Sequence, residues 1–390
     1  MSDLLDALLS KPVAPVVPAT LLVPDRDFTR KLELGDGKNT LTAEIRDADG
    51  KVNEGTALKY LTEEGLTPSE WESTGFRKIK YGAGMESVRF TYKRVLSSKA
   101  LHELKPDELA ELKAHKPTMR REQGDHTFIL ALGDMQFGKI DGDGVEGTLK
   151  RTIECIDKAA DQLAWYRTRF DIGHVHIAWL GDHIEGFESQ GGANVFRTPM
   201  PLSDQIRLTR RTMLHSMLTF ADLAERVSLV AVPGNHGETA RFAGKGTTRY
   251  DDSHDTESLI AVNDGARLTS KFDHVEFYVP ETDELTVALD LSGTTTVHAH
   301  GHKWRPGKHF EYWQGQAFNR HSAFHAAKLM LAGHLHHEHT DSDGDRLFMQ
   351  PPAMESESTW WRHARGTTGA PGGLVAVTKD GHVPVKELIR

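Results

Sequence analysis

The chain is expected to fold as an α/β protein built on a parallel sheet, with a smaller α+β module ahead of it. Three observations lead there. Residues 127–132, 175–180 and 227–232 are short apolar runs that stop abruptly at Gly133-Asp134, Gly181-Asp182 and Pro233-Gly234-Asn235. Between them lie long stretches with apolar residues at helical spacing, first Leu149, Ile153, Ile156, Ala160 and Leu163, then Ile206, Met213, Met217 and Phe220. Strands that alternate with helices pair in parallel, because each helix carries the chain back to where the next strand starts. Beyond about residue 270 the strand-like runs crowd together (275–279, 285–291, 294–298), which implies a second, antiparallel or mixed sheet.

With 390 residues there is room for one large domain and a small one, each with its own core. A formal charge of -9 argues against coating nucleic acid by bulk charge, so any such contact has to come from a local basic patch. The single cysteine, Cys155, excludes an intrachain disulfide and a thiolate cage for zinc, and its helical setting reads as a small apolar residue. The start, Met-Ser-Asp-Leu-Leu-Asp, is acidic where a secretory signal would be basic, and no apolar run reaches membrane-spanning length. A soluble, cytoplasmic protein with no membrane partner is expected.

Residues 1–25 join a short amphipathic piece (Leu4, Leu5, Leu8, Leu9) to Lys11-Pro-Val-Ala-Pro-Val-Val-Pro18 and read as a mobile tail. Residues 26–98 form the small module. A helix is expected from Gly55 to Glu64 and a second one opening near Trp71. A hairpin then follows, whose second arm sets Val88, Phe90 and Tyr92 on one face against Arg89, Thr91 and Lys93 on the other. With basic residues also at Arg77, Lys78 and Lys80, the module suggests a winged-helix-like DNA binder, or equally a hairpin with a solvated face. Residues 99–124 read as a charged helical linker, and 125–390 as the large domain.

Chemistry concentrates where apolar runs end. In order these positions carry Asp134 and Gln136; Asp182; Asn235 and His236; His298, His300 and His302; His334 and His336. Loops at the carboxyl ends of parallel strands can aim polar groups at one point on a rigid frame, and the chain has 22 histidines from which to draw imidazole ligands. The alternating His298, His300 and His302 share a strand face, so spacing does not choose among them.

The five blocks together resemble the calcineurin-like metallophosphoesterase superfamily, over about residues 126–350, and in style its bacteriophage-type forms. The resemblance implies a four-layer α/β/β/α sandwich. It also implies two divalent metal ions, with Asp182 as the bridge, Asp134, Gln136 and His336 on the first ion, and Asn235, His300 and His334 on the second. His300 is preferred to its neighbours because Gly301 follows it. His236 is left to protonate the leaving oxygen, so His236 and Asp182 are the expected catalytic residues. Glu185, Glu238, Arg241 and His302 are candidates for supporting the ligands or gripping substrate, and Arg197 for binding phosphate.

Two departures from the family pattern bear on chemistry. Gln136 replaces a usual His, and its harder amide oxygen favours Mn2+, with Zn2+ or Fe as the other candidates. Glu185 stands where an Asp is usual. The expected activity is hydrolysis of a phosphate ester, most of all a nucleic-acid phosphodiester, with DNA as partner. The alternatives are a phosphomonoesterase of the Ser/Thr protein phosphatase type and a non-catalytic, metal-stabilised virion or binding component. Other conspicuous residues have plainer readings. His174, His176, His215 and His274 are expected to be satisfied or surface histidines, and His183, His337 and His339 to flank the site. Trp304 and Trp313 are expected in the core or at its rim, while Trp360-Trp361 is a candidate stacking platform.

Overall fold

The computed structural model describes residues 30–35, 40–47, 52, 54–66, 68, 71–80, 86–94, 123–188, 192, 198–240, 248–318, 323–366 and 368–390. The tail expected over 1–25, residues 99–122 of the expected linker, Arg197 and Arg241 lie outside the described residues. The chain divides into two compact units, a smaller one within Ser10–Lys105 and a larger one within Pro106–Arg390.

The smaller unit is an antiparallel sheet of four strands in the order β1-β2-β4-β3, formed by β1 (Arg30–Gly35), β2 (Thr40–Asp47), β3 (Trp71–Lys80) and β4 (Glu86–Arg94), with helix α1 (Glu54–Glu63) between β2 and β3. Leu41, Ala43 and Ile45 from β2 join Val88, Phe90 and Tyr92 from β4 in one core, which Ala57, Tyr60 and Leu61 of α1 cover. Alternation in β4 is as expected. Among the described residues no second helix opens there: Trp71 begins β3 instead, and its buried ring fills the same core. Nine of the ten residues of β3 pair along β4, with a shift between Ser73 and Gly75, so tertiary pairing prevailed over a helix-start reading of Pro68-Ser69-Glu70. One helix against four antiparallel strands replaces the winged-helix arrangement among the described residues. Arg89 is also less available than its position suggests. It donates from Nε (3.0 Å) and Nη2 (2.6 Å) to Oε2 of Glu44, a buried carboxylate whose Oε1 accepts from Ser87 Oγ at 2.6 Å.

The larger unit has two sheets. β5 (His126–Leu132), β6 (Ile172–Trp179), β7 (Arg226–Ala231) and β8 (Val275–Tyr278) run parallel, and β14 (Gly373–Lys379) and β15 (His382–Ile389) extend the β5 edge antiparallel, in the order β15-β14-β5-β6-β7-β8. The second sheet is mixed, in the order β12-β13-β11-β10-β9, from β9 (Val287–Asp290), β10 (Thr295–His298), β11 (Leu329–Leu331), β12 (His339–Asp343) and β13 (Arg346–Gln350). β8 therefore belongs to the first sheet, not to the crowded second group. The helix before it, α4 (His254–Ala266), is the crossover that sets it parallel to β7.

Ile129, Ala131, Ala178, Leu180, Val230 and Val232 of the first sheet interdigitate with Val287, Leu291, Leu329, Leu331 and Met349 of the second. On the far face of the first sheet lie α2 (Gly144–Tyr166), α3 (Leu202–Ala221) and α4. On the far face of the second, α5 (His309–Ala317) buries Trp313 against Val297, Met330 and Phe348. The result is the expected four-layer α/β/β/α sandwich. The faces of α2 and α3 follow the apolar spacing, with Leu149, Ile153, Ile156 and Leu163, then Met213, Met217 and Phe220, buried. Among the described residues no helix is long and apolar enough to cross a membrane.

Candidate metal centre

Five of the eight non-glycine residues with positive φ among the described residues are expected ligands: Asp134 (55°), Gln136 (43°), Asp182 (53°), His334 (79°) and His336 (58°). Left-handed backbone is unfavourable for residues with a Cβ, so such a concentration marks loops held in place by their surroundings. The glycines beside them permit close approach. A Cβ on Gly234 would lie 2.0 Å from Asp182 Oδ1, and one on Gly333 would lie 2.8 Å from Asp134 Oδ2. Gly-Asp and Pro-Gly-Asn thus reflect crowding as well as turn chemistry.

Asp182 is at the middle of the cluster. Its Oδ1 accepts the backbone N–H of His236 at 2.7 Å, and its Oδ2 lies 3.0 Å from His300 Nε2 and 4.0 Å from His236 Nε2. Burial works to raise its pKa, but His300 and His236 hold it well below the usual carboxylate range. One atom each from Asp182, His300 and His334 lies within 4.8 Å of the others. Asp134 is linked to the same group, with Oδ2 accepting from His334 N–H at 2.7 Å and Oδ1 lying 3.4 Å from His336 Nε2.

The three histidines nearest the aspartates are oriented alike. His300 Nδ1 donates to the Leu180 carbonyl at 2.7 Å, His236 Nδ1 to the Glu185 carbonyl at 2.9 Å, and His336 Nδ1 bonds Glu355 Oε1 at 2.6 Å. Each ring is fixed through Nδ1, and each Nε2 is turned towards an aspartate. Burial alone would lower their pKa values. The nearby carboxylates instead raise His236 to about 10 and His300 and His336 to about 9. A fixed Nδ1–H with Nε2 directed inward is the form in which imidazole binds a metal.

Two buried oxygens, Asp134 Oδ1 and Asn235 Oδ1, accept no hydrogen bond of good geometry, and His300 Nε2 faces only the Asp182 carboxylate. Unpaired buried acceptors are costly, and a cation among them removes the cost. These residues therefore fit divalent metal. His300 is the inward-facing member of its trio. His298 uses Nδ1 on the Val287 carbonyl (3.1 Å) and Nε2 on His176 (2.9 Å), which makes it a core residue. His302 packs beside His300 and His334, its ring centroid 5.4 and 6.2 Å from theirs.

Gln136 is placed differently from expectation. Its Oε1 accepts from Lys139 Nζ at 2.7 Å, and the same ammonium lies 2.5 Å from Glu355 Oε2. A cation already sits on the amide oxygen that was to bind the first metal. Glu185 holds His236 through its carbonyl and through Oε2 at 3.4 Å. Glu238 is half-buried and pairs through its backbone with Ser253.

Three residues escaped the sequence reading. Asp255, fully buried at the start of α4, accepts from the backbone N–H groups of Asp182 (3.0 Å), His183 (3.0 Å) and Gly234 (2.9 Å), joining the loops after β6 and β7. Its only signal was an Asp in a helix first turn, which has an ordinary reading. Glu355 lies in a loop without any motif, and Lys139 closes the Gly133–Lys139 stretch, in which only Asp134 and Gln136 were read for a role. Of the remaining histidines, His215 is near Asp157 (3.3 Å) and His274 donates to the Ala221 carbonyl (2.6 Å), so both are satisfied. His337 donates to its own neighbour Leu335, and His339 packs on the outer face of the second sheet beside His309 and Phe348, away from the strand ends.

No protein-family model matches the chain, and no curated protein matches it. Among solved structures it is similar to a conserved uncharacterised protein of Streptococcus pneumoniae described as a predicted phosphoesterase, at 15% identity over 65% of this chain and 84% of that one, with a TM-score of 0.27. It is similar to an archaeal phosphodiesterase at 11% identity, over 67% and 99% of the two chains, with a TM-score of 0.31. Vps29 of Entamoeba histolytica, complexed with zinc, aligns at 12% identity over 67% and 96%, with a TM-score of 0.30. Likeness at this level bears on neither activity nor partners.

Proposed function

We propose that the larger unit is a metal-dependent phosphoesterase. The observation that carries this reading is the convergence of the unpaired oxygens of Asp134 and Asn235 and the inward Nε2 of His300 on the Asp182 carboxylate, at the carboxyl ends of strands of both sheets. Asp182 would bridge two ions. Asp134 and His336, with Gln136 once Lys139 yields, would hold one, and Asn235, His300 and His334 the other. Oxygen donors predominate on the first site and favour Mn2+. When bound, such ions supply Lewis-acid relief of phosphoryl charge and acidify water. His236 has a separate task. With Nδ1 held by the Glu185 carbonyl, its Nε2 is the nitrogen that can carry a proton to the departing oxygen.

For the substrate class the proposal is a nucleic-acid phosphodiester, with DNA as the partner. Trp361 packs against His336, with ring centroids 5.6 Å apart, and Trp360, about half exposed, stands edge-on to it at 4.8 Å. Exposed indole beside a phosphate-cleaving site suits a base, and is of less use to a phosphorylated serine. The Lys139 ammonium on Gln136 favours a second reading, in which the first ion is absent and the protein binds phosphate without cleaving it. Turnover of a bis-aryl phosphodiester, an aryl monoester and DNA with Mn2+ separates these. The diester and DNA are expected to be cleaved and the monoester to be poor. Preference for the monoester would replace the nuclease reading, and no cleavage of any would leave the binding one.

A further inference from the structure

A second histidine-carboxylate cluster lies on the outer face of the second sheet, beneath α5. β12 is an edge strand, and alternation puts His339 and Asp341 on one face of it. Phe348 stands directly across from Asp341 on β13. His309, the first residue of α5, lies flat on Phe348, with ring centroids 4.2 Å apart and planes at 20°. That stacking fixes the imidazole, and its Nε2 points to Asp341 Oδ2 at 3.1 Å. The His339 ring stands perpendicular to it, 5.1 Å away. The other oxygen of Asp341 accepts the Ser342 N–H at 2.8 Å, which leaves Oδ2 for the cluster.

We propose that His309, His339 and Asp341 form a further metal site, for a borderline divalent cation of which Zn2+ is the fitting example. One atom from each lies within 4.8 Å of the others. Tetrahedral zinc with bonds of about 2.1 Å sets its donor atoms about 3.4 Å apart, so the 3.1 Å between His309 and Asp341 needs only a small adjustment. Two imidazoles and one carboxylate suit zinc, and the exposed side of Asp341 leaves the fourth position to water. The ring nitrogens of His339 hydrogen-bond to nothing among the described residues, so the bond a cation would replace is the one between His309 and Asp341. Burial and the neighbouring His309 keep His339 below its ordinary pKa, which leaves its imidazole neutral and able to ligate. The cation would tie the start of α5 to the strand that follows directly on the His334–His336 loop. It is a site for structure, not for the phosphoester chemistry.

The test is Zn2+ uptake by the full chain in equilibrium dialysis, with thermal unfolding alongside. His339→Gln/Asp341→Asn is expected to take up one equivalent fewer than the unmodified chain and to lose part of the zinc-induced rise in Tm. The same deficit is expected when the pair is introduced into an Asp182→Asn chain, in which the strand-end centre is disabled. Both substituted residues are on the rim of the cluster, which avoids removing the buried His309. Equal uptake with and without the pair, in both backgrounds, would overturn the proposal and leave a His–Asp hydrogen bond. Failure of the phosphoesterase reading shows separately, as undiminished uptake by Asp182→Asn alone.

Discussion

Residues two apart in the chain, His298 and His300, belong to two different groups of buried histidines in the larger unit. His298 ends a chain of hydrogen bonds that runs from Thr127 Oγ1 to His174 (2.9 Å), from His174 to Ser228 Oγ (2.7 Å), from Ser228 to His176 (2.7 Å) and on to His298 (2.9 Å). Every ring nitrogen in it has a partner. His300 belongs to the other group, in which Nδ1 is bonded and Nε2 faces a carboxylate. Residue type and burial are the same in both. What differs is what the second ring nitrogen meets, a neutral partner in one group and a carboxylate in the other, and nitrogens gathered on an anion are what a cation site needs.

The sharpest way to test that difference is His236→Asn, which changes a site imidazole without touching an expected ligand. Metal content should hold while the rate falls by roughly 10² to 10⁴, and less for substrates with good leaving groups. A uniform loss across leaving groups would remove His236 from acid catalysis. His298→Leu probes the other group. It leaves His176 Nε2 buried and unpaired, which should lower unfolding free energy by about 1–3 kcal/mol in urea titrations, with the ions retained. Loss of ions would mean the two groups are one.

Acid should also tell the groups apart. Burial depresses His174 to about 3 and His176 well below its ordinary value. In the unfolded chain both take protons near pH 6.5, while the folded protein refuses them, so the stability present above about 6.5 is lost as pH falls towards 3. For His174 this amounts to about 1.4 kcal/mol per pH unit in that window, and His176 acts in the same direction. Urea midpoints that do not move between pH 6.5 and 5 would contradict the neutral chain. The smallest effect is expected from Lys139→Met, which takes a positive charge off Gln136 and should tighten binding of the first Mn2+ several-fold. Unchanged affinity in a Mn2+ titration would show that Lys139 moves aside on its own.

Much of this was legible in the chain itself. Apolar runs that stop at Gly-Asp and Pro-Gly-Asn-His identified β5, β6 and β7 and the residues at their ends, because a buried parallel strand needs unbroken apolar character and a ligand loop needs small residues at the turn. The period of 3.6 found the faces of α2 and α3 for a similarly local reason. Other features depended on what packs against what. Trp71 entered a strand because the small core had a place for its ring, and β8 joined the first sheet because α4 returned the chain there. His298 and His300 share a strand face, so only the carbonyls above them, Val287 and Leu180, could assign one to the core and the other to the site. Asp255 had no motif to announce it, and nothing in the loop that holds Lys139 pointed to its charge. Their roles depend on atoms far away in sequence, the backbone of Gly234 for one and Glu355 for the other. Local pattern sets which segments form and where polar groups are offered. The remaining lone pairs and charges are matched only when the loops meet, and that matching decides what the site can bind.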